Sequence, residues 1–366
     1  IDPAAAFPSY VYLAGGGAGQ GVSMTAGGDV GLSVDTSVGA WAAPIRVAAG
    51  GSILGQGFFG SWDNAWPDGT GTAVTLTAGG SISFDYIDTA GFSEGAGQHG
   101  GNVSLSAGSG SVTGYRIATD GGPRYGEAGA NAGHVTVNAT GGITIDSIGA
   151  TGGYAYEGNG AAGQGGRAGN VTLSAGGDIV VGSIDAYGGD SVGYELPAAA
   201  GGAAGAVALS SSGGQIDVDY IDVEGGWGAQ AARGGTVSLS APGDVRIGEV
   251  WAVGGDSQGS AAGGQGGTVR IQAGGNLVFT APWWTNVAAD GGWSTAGTGG
   301  QGGVIDVRVG GGPRHGHPSP RGAGLRFRRV GHQRVGNRLP IRSGVQRNQR
   351  RNVPGQPFDR YAGLCR

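Results

Sequence analysis

The chain has 366 residues, of which 87 are glycine and 13% are charged, and its formal net charge is −5. All 21 basic residues are arginine, which excludes a lysine-containing phosphate loop, a Schiff-base lysine and a Ser-Lys dyad. The single cysteine, Cys365, excludes a disulfide framework and a cysteine-based metal site. No run of about eighteen apolar residues occurs, so no membrane span is predicted.

Residues 1–21 precede the first repeat and are predicted to form an N-terminal lead-in or cap. The chain begins at Ile1 without a methionine or a signal peptide. We therefore interpret it as a mature or excised piece of a longer protein.

A phrase of about seventeen residues then recurs, and a fixed phrase at such a period is typical of a solenoid. The spacing between successive starts varies from 23 residues, between Val22 and Ile45, to 36 residues, between Val135 and Val171. The ten copies start at Val22, Ile45, Val74, Val103, Val135, Val171, Val207, Val237, Val269 and Ile305.

Apolar and polar residues alternate within each copy. In the clearest copy, Val171, Leu173 and Ala175 fall on one side of an extended chain, and hydroxyl residues fall on the other. This alternation with β-branched residues predicts a strand with one buried face. After a glycine turn, a second strand is predicted from Ile179 and a short third strand around Ile184.

Three short strands per copy predict an all-β fold, namely a right-handed parallel β-helix (a solenoid) of about ten coils over residues 22–311. A meander of hairpins is the rival arrangement for short strands joined by glycine turns. The β-helix is favoured because nearly identical phrases stack in register about 4.8 Å apart.

All variation in repeat length falls in the glycine-rich stretches that close each copy, such as residues 152–169 and 188–205. We predict that they leave the coil at one corner as a row of edge loops. Isolated aromatic residues in them are candidate ligand-binding residues, because rings stack on apolar faces of sugars and peptides. In the alternative interpretation they only shield the edge of the coil. The candidates are Tyr154, Tyr156, Tyr187, Tyr194 and Trp227, with Tyr125 and Trp293 in equivalent stretches.

Two copies carry a recognisable motif, GNVTLSAGGDI from Gly169 and GTVSLSAPGDV from Gly235. They resemble the repeats of filamentous haemagglutinin-like exoproteins and of related autotransporter passenger domains. The resemblance covers roughly residues 21–309. It implies a right-handed β-helix in a secreted protein on a bacterial surface, with a role in adhesion.

Carboxylates are densest between Asp217 and Glu224. Alternation puts Asp217 and Asp219 on the outward face of one strand, about 6.5–7 Å apart, a spacing compatible with glycoside hydrolysis. Asp217, Asp219 and Asp222 are therefore the candidate catalytic residues of an alternative function, a β-helix polysaccharide-degrading enzyme. In the other interpretation these acids only keep the protein soluble.

No metal site and no cofactor are predicted. The glycine-aspartate nonapeptide of calcium-binding β-rolls does not occur. His134 precedes Val135 and has no second His or Cys at metal-ligand spacing, so we predict it to be a strand-edge residue.

Charge divides sharply near the end of the repeats. Residues 1–311 hold 8 Arg and 25 acids, whereas residues 312–366 hold 13 Arg and one acid, Asp359. We predict residues 312–366 to be a disordered Arg-rich tail. Two interpretations stay open: a genuine arm would bind nucleic acid through its arginines, and a GC-rich gene read out of frame would also yield such a tail.

Together with the resemblance to haemagglutinin-like exoproteins, these observations predict a non-enzymatic, structural and adhesive β-helical segment of a large secreted protein at the bacterial cell surface. Its expected partners are glycans or proteins on a host or neighbouring cell. The alternative is the polysaccharide-degrading enzyme, a glycoside hydrolase or lyase that uses its outward-facing acids.

Overall fold

A computed structural model describes residues 12–14, 21–32, 37–39, 44–55, 58–60, 71–91, 99–157, 163–193, 199–280, 287–310 and 325–330. They belong to one compact unit, residues 1–336. These residues form strands and no helix, and so contain no helix long and apolar enough to cross a membrane.

The first sheet stacks ten parallel strands and one final antiparallel strand. A strand begins at each of the ten predicted starts or one residue before it, so the predicted repeat is confirmed. With strands numbered along the chain, the stacking order is β2 (Val22–Ala26), β5 (Ile45–Ala49), β8 (Val74–Ala78), β10 (Val103–Ala107), β13 (Val135–Ala139), β16 (Val171–Ala175), β19 (Ala206–Ser211), β21 (Thr236–Ala241), β23 (Thr268–Ala273), β26 (Val304–Val309) and β27 (Leu325–Val330).

The second sheet runs beside the first and is also parallel. Its strands are β1 (Tyr12–Ala14), β3 (Val30–Leu32), β4 (Ser37–Gly39), β6 (Ile53–Gly55), β7 (Phe58–Gly60), β9 (Ile82–Asp88), β11 (Val112–Ala118), β14 (Ile143–Gly149), β17 (Ile179–Asp185), β20 (Ile216–Asp222), β22 (Val245–Trp251), β24 (Leu277–Phe279) and β25 (Val287–Ala288). A small third sheet contains β12 (Arg124–Tyr125), β15 (Ala155–Tyr156) and β18 (Ser191–Val192).

Equivalent residues of successive copies pair in register. Val135 pairs with Val171 and Ala139 pairs with Ala175, so each apolar position stacks on the same position of the next turn. This stacking is what a parallel β-helix requires, and the predicted fold is confirmed.

The second and third predicted strands of a copy are one continuous strand with a bend. In β14 the buried residues are Ile143, Ile145 and Ile148, so two neighbouring residues face outward in the middle of the strand. Pairing with β17 skips the first of these, Asp146. The bend turns the chain without breaking the strand, which is why the sequence suggests two strands here.

Full turns of the solenoid number about seven, fewer than the ten coils that the sequence predicts. The copies at the ends are less complete. The second-sheet part of the first copy is divided into β3 and β4, and in the ninth copy it is divided into β24 and β25.

The core is the space between the two sheets and is filled almost entirely by aliphatic side chains. Each full turn adds the inward residues of its two strands, as Val135, Val137 and Ile143 do in one turn. Two buried hydroxyls, those of Thr89 and Thr119, donate to the carbonyl oxygens of Gly101 at 2.7 Å and Gly133 at 3.0 Å. Burial of these polar groups is therefore offset by hydrogen bonds.

The described part of the Arg-rich tail is the six residues of β27, which pair antiparallel with β26. The sequence does not predict this strand. The remainder of residues 312–366 lies outside the described residues, and with it the choice between a genuine arm and an out-of-frame sequence.

Candidate functional site

From residue 120 onward, the described parts of each glycine-rich stretch form two extended arms, an outgoing arm that leaves the second sheet and a return arm that leads into the first. In the outgoing arm, the N–H of Gly152 donates to the oxygen of Tyr187 in the next turn at 3.0 Å. In the return arm, the N–H of Gly165 donates to the oxygen of Ala200 at 2.9 Å. Each arm therefore stacks on its own counterpart, as the strands do.

A second set of hydrogen bonds joins outgoing arms to return arms. The N–H of Gly166 donates to Gly153 at 2.8 Å, and the N–H of Gly189 in the next turn donates to Gly166 at 2.9 Å. This central seam continues through Gly122, Ala130, Gly153, Gly166, Gly189, Gly202, Gly226, Ala232, Gly255, Gly264, Gly292 and Gly300.

Hydrogen bonding in the arms repeats every third residue, which is the period of a polyproline II helix. In the outgoing arm, Gly152 and Ala155 donate to the next turn, while Gly153 between them donates across the seam. Neighbouring arms thus fill two of the three directions around each arm, and only the third has room for a side chain.

Glycine is required because the arms approach so closely. A Cβ added to Gly153 would lie 2.1 Å from the oxygen of Gly122, and one added to Gly189 would lie 2.0 Å from that of Gly153. Alanine occurs at two return-arm positions, where the donor–acceptor distance is 3.1 Å. The sequence predicts edge loops in these stretches; their inner parts are instead ordered, hydrogen-bonded layers.

The open direction of the outgoing arms forms a surface that we call the aromatic-acidic face. It has two rows of residues, one residue per turn in each row, on opposite sides of the buried Gly-Gly pairs. The first row is Asp120, Thr151, Tyr187, Glu224, Val253 and Asp290, and the second row is Pro123, Tyr154, Asp190, Trp227, Asp256 and Trp293.

Three predicted ligand-binding residues, Tyr154, Tyr187 and Trp227, therefore lie on one surface, together with Trp293, which is 39% exposed. Tyr156 lies beside this face, where its ring stacks on Tyr154 with centroids 6.0 Å apart. The ring of Tyr156 also stacks on that of Tyr125, with centroids 5.1 Å apart.

Tyr194, the remaining predicted residue, lies outside the described residues. Asp190 and Asp256 are not among the binding residues predicted from the sequence. Both could have been found, because the residue directly after the first Gly-Gly pair of each stretch occupies the second row.

Two acids of the second row bond to the tryptophans of the next turn. Asp190 Oδ1 accepts the backbone N–H of Trp227 at 2.8 Å, and Asp256 Oδ1 accepts that of Trp293 at 2.8 Å. In the first row, Asp120 Oδ1 accepts the N–H of Thr151 at 2.7 Å. These carboxylates fix the outward residues of the following turn and give the face its negative charge.

The return arms carry a polar ladder instead of aromatic residues. His134 Nδ1 accepts the backbone N–H of Asn170 at 2.9 Å, and His99 Nδ1 accepts that of Asn131 at 2.7 Å. His134 lies immediately before β13, where the sequence predicts a strand-edge residue. A ring nitrogen that accepts a hydrogen bond carries no proton, so the hydrogen of each neutral ring is on Nε2.

The three candidate catalytic acids do not share one environment. The Nε of Arg246 lies 3.3 Å from Asp217 Oδ2, an ion pair whose angle does not make a hydrogen bond. Asp219 is exposed on the same strand. Partial burial of its carboxylate, followed by the charges of the nearby Asp217 and Asp146, raises its pKa. Asp222 lies beyond the bend of β20, where it is half-buried.

Among the described residues, Asp222 has the carboxyl group with the most perturbed pKa. Burial, followed by the charges of Glu224 and Asp185, raises the pKa of the Asp222 carboxyl to about 7. The backbone N–H of Glu224 donates to Oδ1 at 2.9 Å, and the Tyr220 hydroxyl donates to Oδ2 at 3.3 Å. Burial, followed by the charges of Asp222, Asp185 and Glu224, also raises the pKa of Tyr220.

No group of three or more His, Cys, Asp or Glu side chains within the described residues is arranged to hold a metal ion. Comparisons of the chain with protein families, curated proteins and solved structures found no match. The fold and the arrangement of residues are therefore the basis for any functional proposal.

Proposed function

We propose that this protein is a structural and adhesive segment of a secreted bacterial surface protein, and that it binds glycans or proteins of another cell through the aromatic-acidic face. The observation that carries the proposal is the gathering of Tyr154, Tyr187, Trp227 and Trp293 on one regular surface. Aromatic residues with a polar edge supply much of the affinity at binding surfaces.

The scaffold supports this proposal as well. Strands and glycine arms are both hydrogen-bonded from turn to turn, so the face is held on ordered backbone. Binding to such a pre-organised surface avoids much of the entropy cost of ordering loops. A repeating surface also offers several equivalent contacts, which raises avidity without high affinity at each one.

Replacing Trp293 or Trp227 with alanine is expected to weaken binding of the purified protein to bacterial or host cell surfaces by about tenfold, because a large ring is lost from the face. Surface-bound protein would be measured on intact cells, and circular dichroism would check folding. Tyr86→Ala is the matched control, because Tyr86 is 40% exposed on the second sheet. Equal binding of all the variants would contradict the proposal.

A second candidate, a polysaccharide-degrading enzyme, is favoured by one observation. The pKa of the Asp219 carboxyl is raised, and Asp217, which is ion-paired with Arg246, lies beside it on the same strand. A pair of carboxyl groups of which one has a raised pKa is typical of glycosidases. In this case Asp219→Asn is expected to abolish release of reducing sugars from polysaccharides, while Asp244→Asn, at a turn, leaves it unchanged. Absence of any release by the unaltered protein would exclude this candidate.

A further inference from the structure

Aromatic residues recur on alternate turns in the second row of the aromatic-acidic face. Tyr154, Trp227 and Trp293 lie two turns apart, and Asp190 and Asp256 occupy the turns between them. Because stacked parallel strands are about 4.8 Å apart, successive aromatic positions are about 9.6 Å apart along the solenoid axis. The chemical pattern of the row thus repeats every two turns.

An extended β-1,4-linked polysaccharide has a matching repeat. Each sugar is turned over relative to the one before, so the same ring face recurs at every second sugar. One sugar is only slightly longer than one turn of the solenoid. A chain along the axis would therefore present one sugar to each turn, with every second sugar over an aromatic ring, where its apolar face can stack.

The charge of the face narrows the class of sugar further. Neither row contains an arginine, and the acids between the aromatic residues coincide with the alternate sugars. Carboxylates attract ammonium groups, so this pattern favours sugars with free amino groups. The acids of the two rows are Asp120, Asp190, Glu224, Asp256 and Asp290.

We propose that the aromatic-acidic face binds an extended β-1,4-linked polysaccharide of amino sugars, of the glucosamine type, with its chain along the solenoid axis. This rests on the proposed adhesive function and names its ligand class. A basic peptide in a β-strand conformation fits less well. Its side chains repeat about every 6.6–6.8 Å on one face, which matches neither one turn nor two.

The test is titration calorimetry of the full chain with a β-1,4-linked glucosamine hexamer and with the neutral glucose hexamer of the same linkage, at low salt and mildly acidic pH. The glucosamine hexamer is expected to bind more tightly than the neutral one. Trp293→Ala and Trp227→Ala should each weaken binding of both by about tenfold. Tyr86→Ala, on the second sheet, should not change it.

Asp256→Asn separates charge from structure, because the amide oxygen can still accept the N–H of Trp293. This variant is expected to lose several-fold in affinity for the glucosamine hexamer and to bind the neutral hexamer unchanged. Equal binding of the two hexamers by the unaltered protein would overturn the charge part of the proposal.

The remaining outcomes distinguish this proposal from the adhesive function. If Trp293→Ala weakens adhesion to cells but neither hexamer binds, the adhesive function stands and the proposed ligand class is wrong. Binding of an oligo-arginine peptide in place of the hexamers would identify a basic peptide and would also overturn the proposal. If the protein binds neither cells nor hexamers, both proposals fail.

Discussion

Replacing Gly189 with alanine is expected to destabilise the solenoid by at least about 3 kcal/mol, although the same change at an unconstrained glycine is neutral or slightly stabilising. The new Cβ would lie 2.0 Å from the oxygen of Gly153 and 2.7 Å from its carbonyl carbon. These are backbone atoms held by the seam, so no flexible side chain can move aside. Thermal unfolding followed by circular dichroism would measure the loss.

Gly28→Ala is the matched control, because no atom lies within 4 Å of the Cβ that would be added there. Its unfolding midpoint should stay close to that of the unaltered protein. Hydrogen exchange should localise the effect of Gly189→Ala to the arms on both sides of residue 189, since turns of a solenoid contact only their neighbours. Similar midpoints for the two variants would contradict the packing argument.

The strands could be predicted from the sequence because their signal is local. Val171, Leu173 and Ala175 alternate with polar residues. Because the same pattern recurs at ten starts, it predicts that equivalent strands stack in register, as they do in the structure. The bend could not be placed as well. The alternation of buried and outward residues changes phase between Val218 and Ile221. From the sequence alone, this change predicts a gap between two strands, whereas the structure has a bend within one strand.

The glycine layers were harder to predict, because the usual meaning of many glycines is a loop. Their signal is a three-residue period, as in Gly166 and Gly169, which donate across the arms while the residues between them do not. From the sequence, the candidate binding residues are predicted only as individual aromatic residues. Their common surface depends on hydrogen bonds between arms of different turns, and these follow from the stacking and not from local sequence.

The candidate catalytic acids illustrate the same limit. Alternation correctly puts Asp217 and Asp219 on one outward face. Asp222 follows the bend, where the Tyr220 hydroxyl bonds to it and the charge of Asp185, its register partner on the neighbouring turn, acts on it. Its perturbed pKa could therefore not be inferred from the sequence.

The Asp222 carboxyl is expected to make the protein more stable in mild acid than in mild base. Its pKa is raised in the folded state to about 7, from 3.8, so the folded state binds a proton that the unfolded state releases. The resulting stabilisation is fully present below about pH 4 and is lost as the pH rises through 7. The expected size is at most roughly 4 kcal/mol, because the rise is about three pKa units and each unit corresponds to about 1.4 kcal/mol.

Asp222→Asn should remove this dependence and stabilise the protein above pH 7, because the amide is uncharged and its oxygen can still accept the N–H of Glu224. Unfolding midpoints of the unaltered protein and of Asp222→Asn, measured between roughly pH 4 and pH 9, would test this prediction. Asp217→Asn is the control, since the half-exposed ion pair of Asp217 with Arg246 is worth at most about 1 kcal/mol. If Asp222→Asn lowers the midpoint at every pH, the ionised carboxylate stabilises the bend, and the raised pKa is wrong.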